Sequence, residues 1–180
     1  MSDPQRIHAL LQVRRYEEAV AEGSRQLAAE PEDVELLSLV ALAHSKLDRH
    51  DWALHLAHQA VRCAPDSDYP YRVLAIVQDD AKLHEFAIGS ARVAVQYGPD
   101  EAANWRVLAE CASRRRPAEG AAAARRAIEL EPWHPGGHHA RGMNLRGRKR
   151  TAAYRRALEL DPNMAATQAN LAQAIERWVA

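Results

Sequence analysis

The amino-acid sequence predicts an all-α protein, a short solenoid of about five two-helix repeats. Three observations lead to this prediction: prolines recur at a regular interval, small residues recur at fixed distances before them, and the composition favours helices. Ala, Leu, Arg and Glu are abundant, whereas no segment alternates Val, Ile and Thr with polar residues as a strand would. We therefore expect helices along the 180 residues and no sheet.

The prolines mark the ends of the repeats. They lie at intervals of 34, 34, 33 and 30 residues, at Pro31, Pro65, Pro99, Pro132 and Pro162. A period of this size is typical of repeat proteins. Because proline lacks a backbone N–H and clashes with the preceding turn, each one should end a helix. The expected repeats are residues 1–33, 34–67, 68–101, 102–134 and 135–163, followed by a terminal helix at 164–180.

Small residues and capping residues indicate that each repeat is a pair of helices. Alanines recur five or twelve residues before the prolines, at Ala60, Ala94, Ala127 and Ala157, and at Ala19, Ala53 and Ala87. Helices can pack closely where side chains are this small. Carboxylates that can cap a first helix stand near the repeat starts: Asp3, Asp33, Asp68 and Asp100. Pro117 and Pro135 are suited to a first helical position.

On these residues the sequence resembles the tetratricopeptide repeat family. The fourth repeat gives the fullest copy of the family pattern, with Trp105, Leu108, Ala109, Ala124, Ala127 and Pro132. The resemblance covers nearly the whole chain and implies a right-handed α-solenoid with a C-terminal capping helix. The fifth repeat is shorter and has Arg141 where a core Leu is expected, so its interhelix turn near 147–150 is the least regular part. Trp178 and Val179 either fold back or await a partner.

The resemblance also implies where a partner binds, because in this family the first helix of every repeat lines a concave groove. We therefore expect a protein–protein interaction scaffold that holds a segment of a partner polypeptide. The positions equivalent to the family's ligand contacts are Leu39, Leu42, Lys46, Arg72, Val73, Ile76, Asp79, Asp80, Arg106, Val107, Glu110, Arg114, His139 and Met143. An open alternative is that some apolar positions of the groove continue the core: Leu39, Val73 and Val107.

Two arginines are central to this expectation. Arg72 and Arg106 occupy equivalent places in neighbouring repeats, so a regular solenoid places them on one wall roughly 10 Å apart. Each guanidinium can form forked hydrogen bonds to a carboxylate or carbonyl of a ligand. Three carboxylates are expected to pair with the arginines while the groove is empty: Asp79, Asp80 and Glu110.

The charge distribution leaves two other functions open. Residues 1–100 contain 10 Lys and Arg against 16 Asp and Glu, whereas residues 101–180 contain 14 against 8. Opposite charges of this size favour self-assembly of copies end to end. The tract 114–156 has 12 basic and three acidic residues, so it could bind an anion or RNA. The tract has few interleaved aromatic residues for base stacking, which makes nucleic acid the less favoured partner.

Enzymatic, metal and membrane functions have little support in the sequence. His134, His138 and His139 have spacings that allow chelation, but no carboxylate or Cys completes a site nearby. No phosphate-binding loop or nucleophile motif occurs, so we expect no enzyme, no metal and no cofactor. Two isolated cysteines, Cys63 and Cys111, and the lack of an apolar signal or membrane-spanning run indicate a cytoplasmic protein.

Overall fold

The structure is a computed structural model that describes residues 3–179, with side chains described for residues 3–176. Residues 3–179 form eleven α-helices and no strand, which confirms the predicted all-α class. Five consecutive helix pairs are followed by one terminal helix, as expected. The helices are α1 Pro4–Gln12, α2 Tyr16–Leu27, α3 Val34–Lys46, α4 His50–Cys63, α5 Asp68–Asp80, α6 His84–Tyr97, α7 Ala102–Ala112, α8 Pro117–Leu130, α9 Pro135–Met143, α10 Gly147–Leu160 and α11 Ala165–Val179.

The chain divides into two compact units, which we call unit 1 (residues 1–97) and unit 2 (residues 98–180). Unit 1 contains α1–α6 and unit 2 contains α7–α11. In unit 1 each first helix packs against its own second helix and against the next first helix, so α1, α3 and α5 contact one another in sequence. In unit 2, α7 packs on α8 and α9, and α10 packs on α9 and α11.

Unit 1 has an apolar core and three turns of one kind. Its core contains clusters of apolar residues around Ile7, Leu36, Val73 and Val77, which alternate with alanines where the helices approach closely. Each helix pair is joined by three residues. The middle residue of each turn has a positive φ of 57 to 65°, at Arg14, Asp48 and Lys82.

Unit 2 is packed closely around small residues. A Cβ at Gly120 would lie 1.9 Å from the side-chain oxygen of Asn144, and one at Gly142 would lie 2.3 Å from the Tyr154 ring. Asn144 donates hydrogen bonds to the carbonyl oxygens of Ala109 and Ala140, 2.8 Å each. The asparagine therefore ties α7 to the end of α9. The turn of the last pair is Asn144–Arg146, slightly earlier in the chain than expected.

The helix starts confirm some of the predicted capping residues and correct others. Asp3 and Asp33 are N-caps whose carboxylates accept hydrogen bonds from the N–H groups three residues later. Pro117 and Pro135 are first helical residues, as predicted. The other two carboxylates lie one residue from the N-cap position. Ser67 holds that position in α5, without a side-chain hydrogen bond to the helix, and Glu101 caps α7 by accepting a hydrogen bond from the Ala103 N–H. Helix boundaries read from sequence are commonly displaced by one residue.

Within residues 3–179, no helix is both long and apolar enough to cross a membrane. The side chains of Trp178 and Val179, predicted to fold back or await a partner, lie outside the described residues.

Candidate functional site

A largely apolar pocket of about 350 Å³ opens on the first helices of unit 1. Three consecutive repeats contribute, because α1, α3 and α5 lie side by side. Three of the predicted groove residues line this pocket: Leu39, Leu42 and Lys46. The other lining residues are His8, Leu11, Gln12, Tyr16 and Tyr69.

Three of the five lining residues absent from the predicted groove had a recognisable signal in the sequence. His8, Leu11 and Gln12 lie 34 residues before Leu42, Ser45 and Lys46. They therefore hold the same places in the first repeat that these residues hold in the second. Continuing the groove positions back by one repeat finds them.

Lys46 forms the polar edge of the pocket and is held by an ion pair. Lys46 Nζ donates to Asp80 Oδ2 at 2.9 Å, and the Ser45 hydroxyl donates to the same oxygen at 2.7 Å. Asp79 Oδ1 instead contacts His84 Nδ1, also at 2.7 Å. The two neighbouring carboxylates thus point to different elements, α3 and α6, and do not form one acidic site.

Arg72 lies beside the aromatic wall of the pocket. Its Nη1 is 3.3 Å from Asp68 Oδ2, and its guanidinium is 5.2 Å from the centre of the Tyr69 ring. Burial and the Glu35 charge raise the pKa of Tyr69 to about 12, against the opposing effect of the Arg72 cation. The Tyr69 hydroxyl is therefore a neutral donor at physiological pH.

The predicted groove residues of unit 1 differ in how deeply their side chains are buried. Val73 is 1 % exposed and packs in the core cluster, which favours the alternative interpretation of this residue as core. Leu39 is 3 % exposed but still borders the pocket. Leu42 and Ile76 are half-buried, so they keep surface that a ligand can contact.

Unit 2 contains the remaining predicted residues. Arg106 forms an ion pair with Glu131, a residue that the sequence analysis did not connect with it. Three of the predicted residues are half-buried: Val107, Glu110 and Met143. Arg114 is exposed. Because Arg72 and Arg106 belong to different units, their 10 Å separation stays a prediction.

His139 connects α9 to the terminal helix. Its Nδ1 lies 2.8 Å from the Thr167 hydroxyl, and its ring lies 5.7 Å from the ring of Tyr154. Burial lowers the pKa of His139, so the neutral imidazole is favoured. This contact holds a helix in place and leaves little of the side chain for a ligand.

The three histidines considered as metal ligands make separate contacts. His134 Nδ1 accepts a hydrogen bond from the Gly136 N–H, and His138 Nε2 lies 3.1 Å from the Pro132 carbonyl oxygen. Burial, with a contribution from the Arg106 charge, lowers the pKa of His134. Among the described side chains, no group of three or more His, Cys, Asp or Glu is placed to hold a metal ion.

The class of protein follows from the fold and from comparison with solved structures. No family model and no curated protein matches the sequence. The fold is that of the tetratricopeptide repeat proteins, as the helix pairs of about 34 residues predict.

Three solved structures illustrate the likeness. A thermophilic TPR protein of Thermus thermophilus, TTC0263, has a TM-score of 0.82 at 22 % identity and covers 95 % of this chain and 96 % of its own. YrrB, described as a TPR protein with an unusual peptide-binding site, has a TM-score of 0.61 at 14 % identity over 90 % of this chain and 86 % of its own. A monomeric mutant of IFIT1 bound to m7Gppp-AAAA has a TM-score of 0.80 at 20 % identity, covering 98 % of this chain and 47 % of IFIT1. These identities establish the fold alone.

Proposed function

We propose that this protein is a non-catalytic interaction scaffold that binds a segment of a partner polypeptide on the first helices of its repeats. The observation that carries the proposal is the apolar pocket of unit 1, to which α1, α3 and α5 all contribute side chains. A pocket of about 350 Å³ is large enough for one or two bulky apolar side chains. YrrB, which has the same fold, is described as having a peptide-binding site, and this supports a peptide as the ligand.

The polar edge of the pocket suits the backbone of such a ligand. Lys46 and Arg72 are held by Asp80 and Asp68, respectively, so each cation is already oriented before a ligand arrives. An oriented donor loses less conformational entropy on binding than a free side chain. We expect the ligand to insert an apolar side chain beside Leu42 and to accept hydrogen bonds from these cations through its carbonyl or carboxylate groups.

The test is a comparison of pocket variants in partner capture. The full chain is immobilised, a partner is captured from extract of the source cells and identified, and its affinity is then measured by calorimetry. Leu42→Glu and Leu11→Glu each place a charge in the pocket, and we expect a loss of affinity of at least about tenfold. Leu83→Glu is the matched control because Leu83 is an exposed leucine of unit 1 outside the pocket. Full affinity in both pocket variants would move the binding site elsewhere.

A test of the two groove arginines, Arg72 and Arg106, needs a milder substitution than a reversal of charge. Their side chains are only 19 % and 17 % exposed, and each pairs with a carboxylate. A Glu there would place two acids together in a half-buried site. Arg72→Gln is therefore the better variant, and we expect weaker partner binding with an unchanged helical circular dichroism spectrum.

A further inference from the structure

The outer surface of α10 carries a concentration of positive charge beside two pockets. One pocket of about 420 Å³ lies between α10 and α11 and is lined by Gly147, Arg148, Thr151, Ala152, Arg155 and Ile175. The other, of about 240 Å³, lies between α9 and α10 and contains the cations Arg141, Lys149 and Arg156, together with His138. Ala152 borders both pockets, so they lie side by side across one small residue. No carboxylate is among the described residues that line either pocket.

Three of the cations at these pockets have no ion-pair partner among the described side chains. Arg141, Lys149 and Arg155 form no ion pair with any residue whose side chain the structure describes. Arg156 pairs at 2.8 Å with Glu159, and both side chains are more than half exposed. Such an exposed pair contributes little free energy, so an incoming anion can replace it at small cost. The α10 surface can therefore bind a negatively charged ligand with little competition from internal ion pairs.

The helix places the cations in two matching pairs. Arg148 and Arg155 line one pocket, whereas Lys149 and Arg156 line the other. The residues of each pair are seven positions apart, which is about two turns or 10 Å along α10. One small anion can occupy only one of these places. A chain of several anionic groups can occupy them together.

We propose that the α10 face is a binding site for the phosphate backbone of a single nucleic-acid strand. Guanidinium groups fit phosphate oxygens through forked hydrogen bonds, and three of the four paired cations are arginines. Apolar side chains stand among the charges, Ile175 in one pocket and Leu145 in the other, and these suit the sugars and bases of a strand. A peptide composed only of acidic residues would pair with the charges but would have no apolar side chain to contact Ile175 and Leu145.

An exposed tryptophan adds a feature that favours a nucleic acid over an acidic peptide. Trp133 is 71 % exposed and directly follows Pro132, whose carbonyl oxygen contacts His138 of the smaller pocket. An aromatic side chain at the rim of a basic surface is suited to stacking on a base. The proposed nucleic-acid site belongs to unit 2 and shares no residue with the apolar pocket of unit 1, so each proposal can be tested without the other.

The test uses fluorescence anisotropy with labelled uridine and thymidine oligonucleotides of about 12 nucleotides, a length within the usual single-strand site sizes. The full chain is titrated at salt concentrations from about 50 to about 200 mM. If four cations contact phosphates, the slope of log affinity against log salt should be about −3 for a single strand. Binding of both oligonucleotides with this slope supports the site, and no binding at about 50 mM salt overturns it.

Paired variants show whether the site is specific to α10. Arg148→Gln with Arg155→Gln, and Lys149→Gln with Arg156→Gln, should each reduce affinity at least about tenfold and make the slope less negative by about 1.4. Glutamine is a good helix former, so α10 should keep its structure, as circular dichroism can verify. Arg115→Gln with Arg125→Gln is the control of equal charge change, at exposed arginines outside both pockets.

We expect the control to change affinity by less than about threefold, since it alters only the general field of the protein. Equal losses in the control and the α10 variants would overturn the proposal, because the binding would then be nonspecific attraction. Two further results would overturn the proposal. One is that a poly-glutamate peptide competes as strongly as an oligonucleotide does. The other is that the protein binds vesicles with anionic lipid as tightly as it binds the oligonucleotides. Those outcomes would assign the surface to an acidic protein or to a membrane, respectively.

Discussion

Units 1 and 2 have the same helix-pair fold but are stabilised by different side chains. Among the described residues, the largest fully buried side chains of unit 1 are mostly apolar: Ile7, Leu36, Leu37, Val40, Pro70, Val73, Val77 and Ile88. Those of unit 2 are polar, Asn104 and Thr167. Because burial of apolar surface is the main stabilising contribution, we expect unit 1 to be the more stable of the two. The same repeat pattern can therefore have its largest fully buried side chains either mostly apolar, as in unit 1, or polar, as in unit 2.

The turns between the paired helices are also more regular in unit 1 than in unit 2. The three turns of unit 1 have equal length and place a residue with positive φ at intervals of 34, at Arg14, Asp48 and Lys82. Unit 2 joins α7 to α8 by four residues and starts α10 at Gly147, which itself has a φ of 53°. Unit 1 is thus the more regular of the two, whereas unit 2 carries the excess of positive charge. Regular packing and surface charge occur in different parts of the chain.

The largest expected effect comes from the apolar core of unit 1. Leu36→Ala removes a fully buried side chain, and we expect the free energy of unfolding to fall by about 2–5 kcal/mol. In unit 2, Thr167→Ala removes one methyl group and the hydroxyl that contacts His139. We expect the free energy of unfolding to fall by about 1 kcal/mol. Urea unfolding followed by circular dichroism measures both. Equal losses would show that the two cores stabilise their units to the same degree.

Glycine substitutions test the tight packing of unit 2. Gly142→Ala would place a Cβ 2.3 Å from the Tyr154 ring, and we expect a loss of about 1–3 kcal/mol although alanine favours helix formation. Gly89 of α6 is the matched control, because a Cβ there meets nothing within 4 Å. Gly89→Ala should therefore raise stability by up to about 1 kcal/mol. A neutral Gly142→Ala variant in thermal unfolding would mean that Tyr154 moves aside easily.

The sequence predicts the helix pairs well because their causes are local. A proline that follows a helix prevents the helix from continuing, and a carboxylate such as Asp33 caps the N–H groups next to it. The groove positions come from the family resemblance and recur with the period, and two of them, Leu42 and Lys46, line a pocket. The same period would have identified His8 in the first repeat. These properties depend on position along the chain.

Depth and pairing depend on tertiary structure, and here the sequence was insufficient. Neighbouring positions 72 and 73 were both assigned to the groove, yet Arg72 is half-buried and Val73 lies in the core. Arg106 pairs with Glu131, 25 residues away, because packing of the helices brings them together. The division into two units at residue 97 had no signal in the spacing of the prolines. Each of these facts requires knowledge of which helices touch.

The positive-φ turns of unit 1 give a smaller and opposite effect. Lys82 has a φ of 65°, which costs an L-residue about 1–2 kcal/mol but costs glycine nothing sterically. Allowing for the entropy of glycine in the unfolded chain, Lys82→Gly should stabilise by about 0.5–1 kcal/mol. Gly147→Ala is the converse in unit 2 and should destabilise by a similar amount, since a Cβ there has open space and only the φ matters. Lys82→Ala should give no increase in the melting temperature, and an increase would contradict the conformational cause.

The smallest expected effect is a dependence of unit 2 on pH. Burial lowers the pKa of His139 below its ordinary value of 6.5, so the unfolded chain binds the proton more tightly than the folded one. The contribution of His139 to stability is therefore complete above about pH 6.5 and declines as the pH falls towards the lower pKa of the folded state. Protonation adds a charge where the ring packs on Tyr154 and contacts Thr167, so the docking of α11 should loosen first.

Hydrogen exchange of the α11 amides at about pH 7.5 and about pH 5.5, corrected for the intrinsic rates, measures this loosening. His139→Gln keeps a polar side chain without the titrating ring and should reduce the pH effect. The exposed His58→Gln in unit 1 is the control, and a pH effect that persists unchanged in the His139 variant would assign it to other groups.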